Sequence, residues 1–480
     1  MKRVIYFLLT AVFLQGFAAS AQVYNILHNF GSQSHDGSGP AGDLVLVANT
    51  LYGTTISGGT NSNGTIFKIN TDGSGYQILL SLTNGPIEGG MVLIGDTLYG
   101  TTYTGGANDN GSIFKLNTNG SGYAELHSFE ATVPTVLGTN SDGNRPQGDL
   151  VTDGNTLYGT AQLGGPSGNG TIFKINTDGS GFTVIKAFSQ TFLGTNDVSG
   201  NPIVTSGTNL DGARPVGSLV LNGGTLYGTT FHGGISNGVV FSMDTNGDNY
   251  NVLKYFSGIT GPLNAGTNSD GAAPIAGVTL SGDTLYGVTV GGGAESLGIV
   301  FTLKTNGTAF ANLHDFQVAD GGFPRNSLLL DGATLYGTTG VGGTTNRGTI
   351  FMLQTNGTDF TVLRNFDTTS GSQCDAKFVL SSNVLCATAV NGGSNSAGVV
   401  FGLTVLPHIM SDTNLGMRAG AFGFDYNGVS NQTAIIESTT NLSQGAWQPL
   451  QTNLLTGAPI YFSDPAFPQN PNAFYRIRSP

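Results

Sequence analysis

One phrase, Leu-Tyr-Gly-Thr-Thr, recurs along the chain, trailed at near-fixed offsets by Gly-Gly, Gly-Thr-Ile-Phe-Lys and Asp/Asn-Gly. Its Leu-Tyr-Gly core begins at Leu51, Leu98, Leu157, Leu226, Leu285 and Leu335, and a decayed seventh copy reads Leu385-Cys386-Ala387. A repeat of roughly 50 residues cannot bury its own apolar face, whereas stacked copies can, so the chain must fold as an array of one small unit.

The third unit serves as reference. Residues 148–152 read as a strand a, and a turn at Asp153-Gly154-Asn155 leads to strand b over 156–161. A loop through Gly164-Gly165 precedes strand c, 170–176, and Thr177 to Gly181 turn the chain into strand d, 182–188. Each run is short, rich in β-branched and aromatic residues, and bounded by Gly, Asn or Asp turn signals. No segment carries a helical period, so the fold class is all-β. Leu and Tyr of strand b alternate across the sheet and predict packing against both neighbouring sheets. The Gly after Tyr is expected to admit a Phe from the adjacent sheet.

Four antiparallel strands repeated seven times predict a seven-bladed β-propeller, with an open solenoid as the competitor. The chain ends bear on the choice. Residues 24–30 match strand d but have no a, b or c before them, and the seventh unit has a, b and c (398–404) but no d. A ring closed by the N-terminal strand completes that sheet and leaves fewer exposed edges. The expected organisation is a signal peptide over 1–21, a propeller over 22–405, a linker over 406–412 and a C-terminal β-sandwich over 413–480. Repeat starts lie 47, 59, 69, 59, 50 and 50 residues apart, so the extra length sits in inserted loops.

Lys2 and Arg3, an apolar stretch to Ala18 and Ala19-Ser20-Ala21 before Gln22 read as a cleaved export signal. No other stretch is long and apolar enough to span a bilayer. Without Lys2 and Arg3, 15 basic residues face 29 acidic ones. That field argues against nucleic acid and anionic membrane as partners. The expectation is a monomeric chain, secreted or held at the cell surface. Export permits a disulfide between Cys374 and Cys386, the two cysteines. In a hairpin turning at Ser382-Asn383, Cys386 faces the stretch 377–380, so a bridge requires the loop of Cys374 to fold back.

The order of strand a, Leu-Tyr-Gly, Gly-Gly, strand c and an aromatic-led strand d resembles kelch-type blades. The chain resembles more closely the GloVer-type tandem-repeat proteins of bacterial exported proteomes. Asp142-Gly143 with Pro146, Asp211-Gly212 with Pro215 and Asp270-Gly271 with Pro274, each ahead of its Leu-Tyr-Gly, match their phrase. The match runs over 23–405; the second unit lacks the Asp, and the seventh lacks both Pro and Tyr. No activity comes with this resemblance.

Beyond Pro407, stretches 422–426, 433–437, 447–450, 460–462 and 474–478 read as strands of a small sandwich. The tail resembles C-terminal modules of large exported proteins that end in Phe-Tyr-Arg-Ile, which implies sorting or envelope attachment; a stabilising appendage is the alternative. Trp447, the single tryptophan, is expected in its core, against a sugar-stacking platform.

No nucleophile elbow, zinc-protease, P-loop or dinucleotide motif is present, and no cofactor is expected. His28, His127 and His314 share a repeat position with Lys186, Lys254 and Arg364. Spread over different sheets they cannot converge on one metal; exposure on outer strands, where charge deters edge pairing, is the expectation. The c–d hairpins contain a calcium-like spelling, best at Asp244 and Asp248, but lack an acidic twelfth residue. Asp142, Asp211, Asp270 and Asp320 offer rim carboxylates for a hydrolase or lyase, although an Asx-turn suffices for each. Long d–a insertions at 131–145, 189–214 and 257–273 share a face with the b–c loops. Tyr103, Gln162, Phe231 and His232, each just before a Gly-Gly, are therefore the predicted ligand-contacting residues. The predicted function is a non-catalytic binding module for a polysaccharide or an envelope protein. The alternatives are a carbohydrate-active enzyme acting through the rim carboxylates and a purely structural surface protein.

Overall fold

The computed structural model describes residues 22–133, 138–190, 209–234, 237–259, 266–410, 415–418, 421–440, 446–467 and 473–480. The expected export signal over 1–21 and the middles of the three long insertions lie outside them. Among the described residues there is no α-helix, and no helix is long and apolar enough to cross a membrane.

Seven antiparallel sheets follow one another along the repeats, six of four strands and one of five. The first pairs Val45–Val47, Thr50–Thr55, Thr65–Asn70 and Gln77–Ser81 in the order a-b-c-d. The third gains a fifth strand because its strand b runs on to Leu163 and pairs with Asn144–Pro146. The seventh is built from Val379–Ser381, Val384–Ala389 and Val399–Thr404. Its outermost strand is Tyr24–Asn29, antiparallel to Val399–Thr404 with Tyr24 opposite Leu403 and Asn29 opposite Val399. The arrangement is β-propeller-like.

The strand-b alternation does what its period dictates. Leu98 packs in the cluster shared by sheets one and two, and Tyr99 in that shared by sheets two and three. One such cluster lies between each consecutive pair of sheets, and a further one joins Leu44, Leu51 and Phe67 of the first to Cys386 and Val400 of the seventh. Each fully buried Leu, Ile or Phe contributes about 1.5–3 kcal/mol. The glycine after Tyr needs correcting. A Cβ on Gly53 would lie 2.5 Å from Phe67, which belongs to strand c of the same sheet, directly opposite in register. The glycine thus lets a ring cross its own sheet, not a neighbour's.

Cys386 stands opposite Val379, as the hairpin required. Both cysteines are nevertheless free: Cys374 packs with sheet six and Cys386 with sheet one, on opposite faces of the seventh sheet. Burial pushes each thiol up to about 12, which keeps both as inert thiols.

The tail forms two small sheets around Phe422, Phe424, Tyr426, Ile436 and Phe462. His408–Ile409, within the expected linker, pairs with Tyr426 and Asn427 and so already belongs to this module. Trp447 corrects expectation too. It is half-buried at the edge of strand Gln448–Leu454 and covered by the Arg476 guanidinium 4.4 Å from its ring centroid, outside the buried cluster. A register irregularity at Ile436/Glu437 accompanies that edge. The module docks on the a–b turn and c–d hairpin of the sixth sheet. The Ala333 N–H donates to Gly457 O at 2.9 Å, the Ser430 N–H to Asp331 at 2.7 Å, and His408 meets Asp359 at 2.9 Å.

Candidate binding site

Strand a is shorter than expected in every sheet; in the third only Val151–Thr152 pair. The residues ahead of it, Gly148-Asp149-Leu150 and their equivalents, run along the inner edges of the sheets. The Leu is buried (Leu44, Leu150, Leu219, Leu328) and anchors the segment. Close packing between neighbouring segments excludes side chains: a Cβ on Gly89 would lie 2.4 Å from Gln147 O, and one on Gly42 2.2 Å from Gly89 O. Hydrogen bonds tie these segments to the neighbouring sheets. The Thr229 hydroxyl donates to Ala276 O (2.8 Å), the Asp149 N–H to Ser218 Oγ (3.0 Å) and the Lys377 N–H to Asp43 Oδ1 (2.6 Å), the last between sheets seven and one.

These segments from all seven sheets surround one cavity of about 320 Å³, within the range of small-ligand sites. Its acidic side holds Asp43, Glu88 and Asp149. Asp43 and Asp149 occupy the same repeat position in sheets one and three; sheet two places Gly90 there. A Cβ at Gly90 would sit 2.8 Å from Asp43 Cβ and 2.9 Å from Asp149 Oδ1, so the missing side chain lets the two carboxyls meet. The Gly90 N–H donates to Asp149 Oδ1. Burial, then the Asp43 charge and the hydrogen bond with it, hold Asp149 well above the usual carboxylate range, against the Gly90 N–H and Lys377. Burial likewise raises Glu88, whose Oε2 accepts from Gln147 Nε2 at 3.0 Å. Across the cavity burial raises Asp375, against the Gln373 amide (2.8 Å) and Arg325.

The predicted contact residues Tyr103, Gln162, Phe231 and His232 are not among the residues that line the cavity. Ile56 and Val390, each the first residue after the strand-b Thr-Thr or its equivalent, line the cavity, and Tyr103, Gln162 and Phe231 hold that position in sheets two, three and four. All three are half-buried. The Arg145 guanidinium lies 5.4 Å from the Tyr103 ring, and Phe231 packs on His232 at 3.9 Å. Burial, aided by Arg214, lowers His232 to about 4, so it is neutral at physiological pH. Arg145 and Arg214 both have φ near +56° (57 and 56), but so do residues at the same place in other repeats, which makes this a feature of the turn.

The rim carboxylates are committed elsewhere. Asp142 bonds His127 (3.0 Å), Asp211 Lys186 (2.6 Å), Asp270 Lys254 (2.5 Å) and Asp320 His314 (3.1 Å), and His28 with Asp36 repeats the pattern at 3.1 Å. The cationic positions are therefore not exposed edge guards; the side chain of His28 is 9% exposed. Each also stacks on the strand-d aromatic of the next sheet: His127 on Phe182 (3.6 Å), Lys186 over Tyr250 (4.4 Å), His28 on Tyr76 (3.6 Å) and Arg364 over Tyr24 (3.9 Å). Replacing Lys186 by Met should cost about 1–3 kcal/mol, because Asp211 would keep its charge without its partner; chemical denaturation of the variant measures it. In the hairpin suspected of calcium binding, Asp244 accepts from Asn249 Nδ2 (2.6 Å) and Asp248 from Asn246 Nδ2 (2.9 Å), so its own amides satisfy it. Among the described residues no three His, Cys, Asp or Glu side chains group to hold a metal.

The family model described as the Gloeobacter/Verrucomicrobia repeat matches residues 16–208 and 262–442. Among solved structures the chain is similar to the nidogen/laminin complex at 16% identity, over 59% of this chain and 81% of that one, with a TM-score of 0.35. It is similar to TolB from Acinetobacter baumannii at 16% identity, over 62% and 58%, with a TM-score of 0.36. To an oligogalacturonate lyase in complex with manganese it has 10% identity, over 80% and 96%, with a TM-score of 0.47. No curated protein matches.

Proposed function

This chain belongs to the Gloeobacter/Verrucomicrobia repeat family, and from that premise we propose that it is an exported, seven-bladed closed propeller acting as a binding module. Three features support closure: the pairing of Tyr24–Asn29 with Val399–Thr404, the apolar cluster between sheets seven and one, and the stacking of His28 on Tyr76. The apolar stretch and small-residue site over 1–21 support export, and the acidic, cation-poor composition fits that reading.

One observation carries the binding role: all seven sheets send a segment to one cavity, and Tyr103, Gln162 and Phe231 hold the repeat position at which Ile56 and Val390 line it. Loops and side chains presented by a rigid ring are where recognition concentrates. A polysaccharide end suits the cavity better than a protein surface does, since carboxyl, amide and hydroxyl groups line a concave space of monosaccharide to disaccharide scale. On a glycan array the protein should retain at least one class of saccharide, and Tyr103→Ala or Phe231→Ala should weaken that binding at least about tenfold. An array on which nothing binds, or on which both variants match the parent, would rule the role out.

A second reading, a hydrolase or lyase, gains from one feature. The Asp43–Asp149 pair, rather than the rim carboxylates, sets two carboxyls together in the cavity with Asp149 raised by burial and by Asp43, the kind of pairing that general acid–base chemistry uses. Polysaccharide turnover that Asp149→Asn removes would establish it.

A further inference from the structure

The cavity is strongly biased toward hydrogen-bond acceptors. Four carboxyl groups, Asp43, Glu88, Asp149 and Asp375, line it with one guanidinium, Arg325; from outside the lining Lys377 acts on Asp149 and Arg145 on Glu88. Asn326, a lining residue only 7% exposed, sends its Nδ2 to Thr338 Oγ1 (2.7 Å), Cys374 O and Ala376 O (both 2.8 Å), which fixes the amide's orientation and leaves its buried Oδ1 with no partner. Asp375 Oδ1 is likewise unpartnered. A buried polar atom without a partner is costly unless something supplies one. Here the orphaned atoms are all acceptors, so the missing groups are donors. On the remaining wall Ile56, Val216, Ile275 and Val390 offer apolar contact, suited to the C–H face of a ring.

Resting on the binding-module reading above, we propose that the ligand is an amino sugar with a free ammonium group, the ammonium held between Asp43 and Asp149 and the hydroxyls meeting the amide side of the cavity. Gly90 is what makes that seat, because any side chain there would separate the two carboxyls. An acetylated amine carries no charge and is bulkier, so the seat discriminates by charge and size. Proton balance supplies a signature. Burial and the neighbouring Asp43 favour the protonated form of Asp149; an incoming R–NH3+ favours its carboxylate, so a proton held there leaves to solvent as the ammonium takes its place.

Calorimetric titration of the full chain at pH 7 tests this, with a glucosamine disaccharide, its fully N-acetylated form and a neutral glucose disaccharide, in two buffers of different ionisation enthalpy. The expected result is at least tenfold tighter binding of the free amine, with close to one proton released. Asp149→Asn and Asp43→Asn should each lose the preference and the proton release, while Asp283→Asn, on an exposed turn of the opposite edge, should keep both. Equal binding of the three sugars, or tighter binding of the acetylated one, overturns the amino-sugar inference and leaves saccharide binding standing. If no sugar binds, both fall. If calcium or manganese chloride alone binds and Asp149→Asn abolishes it, the pair is a cation seat and the inference is wrong.

Discussion

Deletion of residues 22–30 is expected to abolish the cooperative native state. The deleted segment supplies the outermost strand of the seventh sheet, the Phe30 ring buried at 0% exposure between sheets seven and one, and the Tyr24 ring stacked on Phe401 at 5.1 Å. His28 would vanish from Tyr76 and Asp36, and Arg364 would lose the ring beneath it. Phe30→Ala alone should cost about 3–5 kcal/mol, a large share of the roughly 5–15 kcal/mol by which domains are stable. Losing the whole strand adds an open edge at Val399–Thr404, a ready template for another chain. The truncated protein should therefore run as oligomers on size exclusion and melt broadly at low temperature, and a synthetic peptide of residues 22–31 should restore a sharp transition. An unchanged melting curve would mean that the sheets do not depend on the N-terminal strand.

What the sequence disclosed and what it hid divide along one physical line. Contacts that repeat every unit were legible: the b and c strands, the opposite packing of Leu98 and Tyr99, and the orphan strand at 24–29 with its vacancy beside 399–404. Periodicity reports such contacts directly. The ion pairs of strand d were legible in principle. The unit with an apolar Leu80 at the cationic position is followed by a d–a loop, 83–90, with no acidic Asp-Gly turn, whereas His28, His127, Lys186, Lys254 and His314 are each followed by one. The cations and aspartates were read separately, as edge guards and as a rim acid pair, when they are partners. The central acids were hidden for another reason. Asp43 and Asp149 lie in two units with a third between them, and they touch only because that unit carries Gly90. The signal was an Asp, Gly, Asp series at one repeat position, which no pairwise motif encodes. Trp447 was misjudged because alternation along an edge strand does not say which face a neighbouring arginine will cover.

The second large effect is a gain. Asp149→Asn should stabilise the protein by about 1–3 kcal/mol at pH 7, since asparagine has the shape of the protonated acid. Its Oδ1 can keep the Gly90 N–H and its Nδ2 can donate to Asp43, without the charge that burial and Asp43 disfavour. The sign follows from linkage. A carboxyl raised in the folded state contributes stability that is fully present below its unfolded value, near 3.8, and is lost as pH rises through the folded value. Asp36 and Asp270 run the other way. Burial works against them, but hydrogen bonds from His28 and Tyr76, and from Lys254 and Ser257, hold them low. Their contribution is present above the unfolded value and lost as pH falls. The parent should therefore be most stable in mildly acidic solution, and Asp149→Asn should move that maximum toward neutrality while leaving the acid limb in place. Thermal melts of both proteins from pH 3 to pH 8 separate the two limbs. A variant less stable than the parent at pH 7 would mean that Asp149 is ionised in the fold, held by a cation, and that the cavity's acid pair carries no proton to exchange.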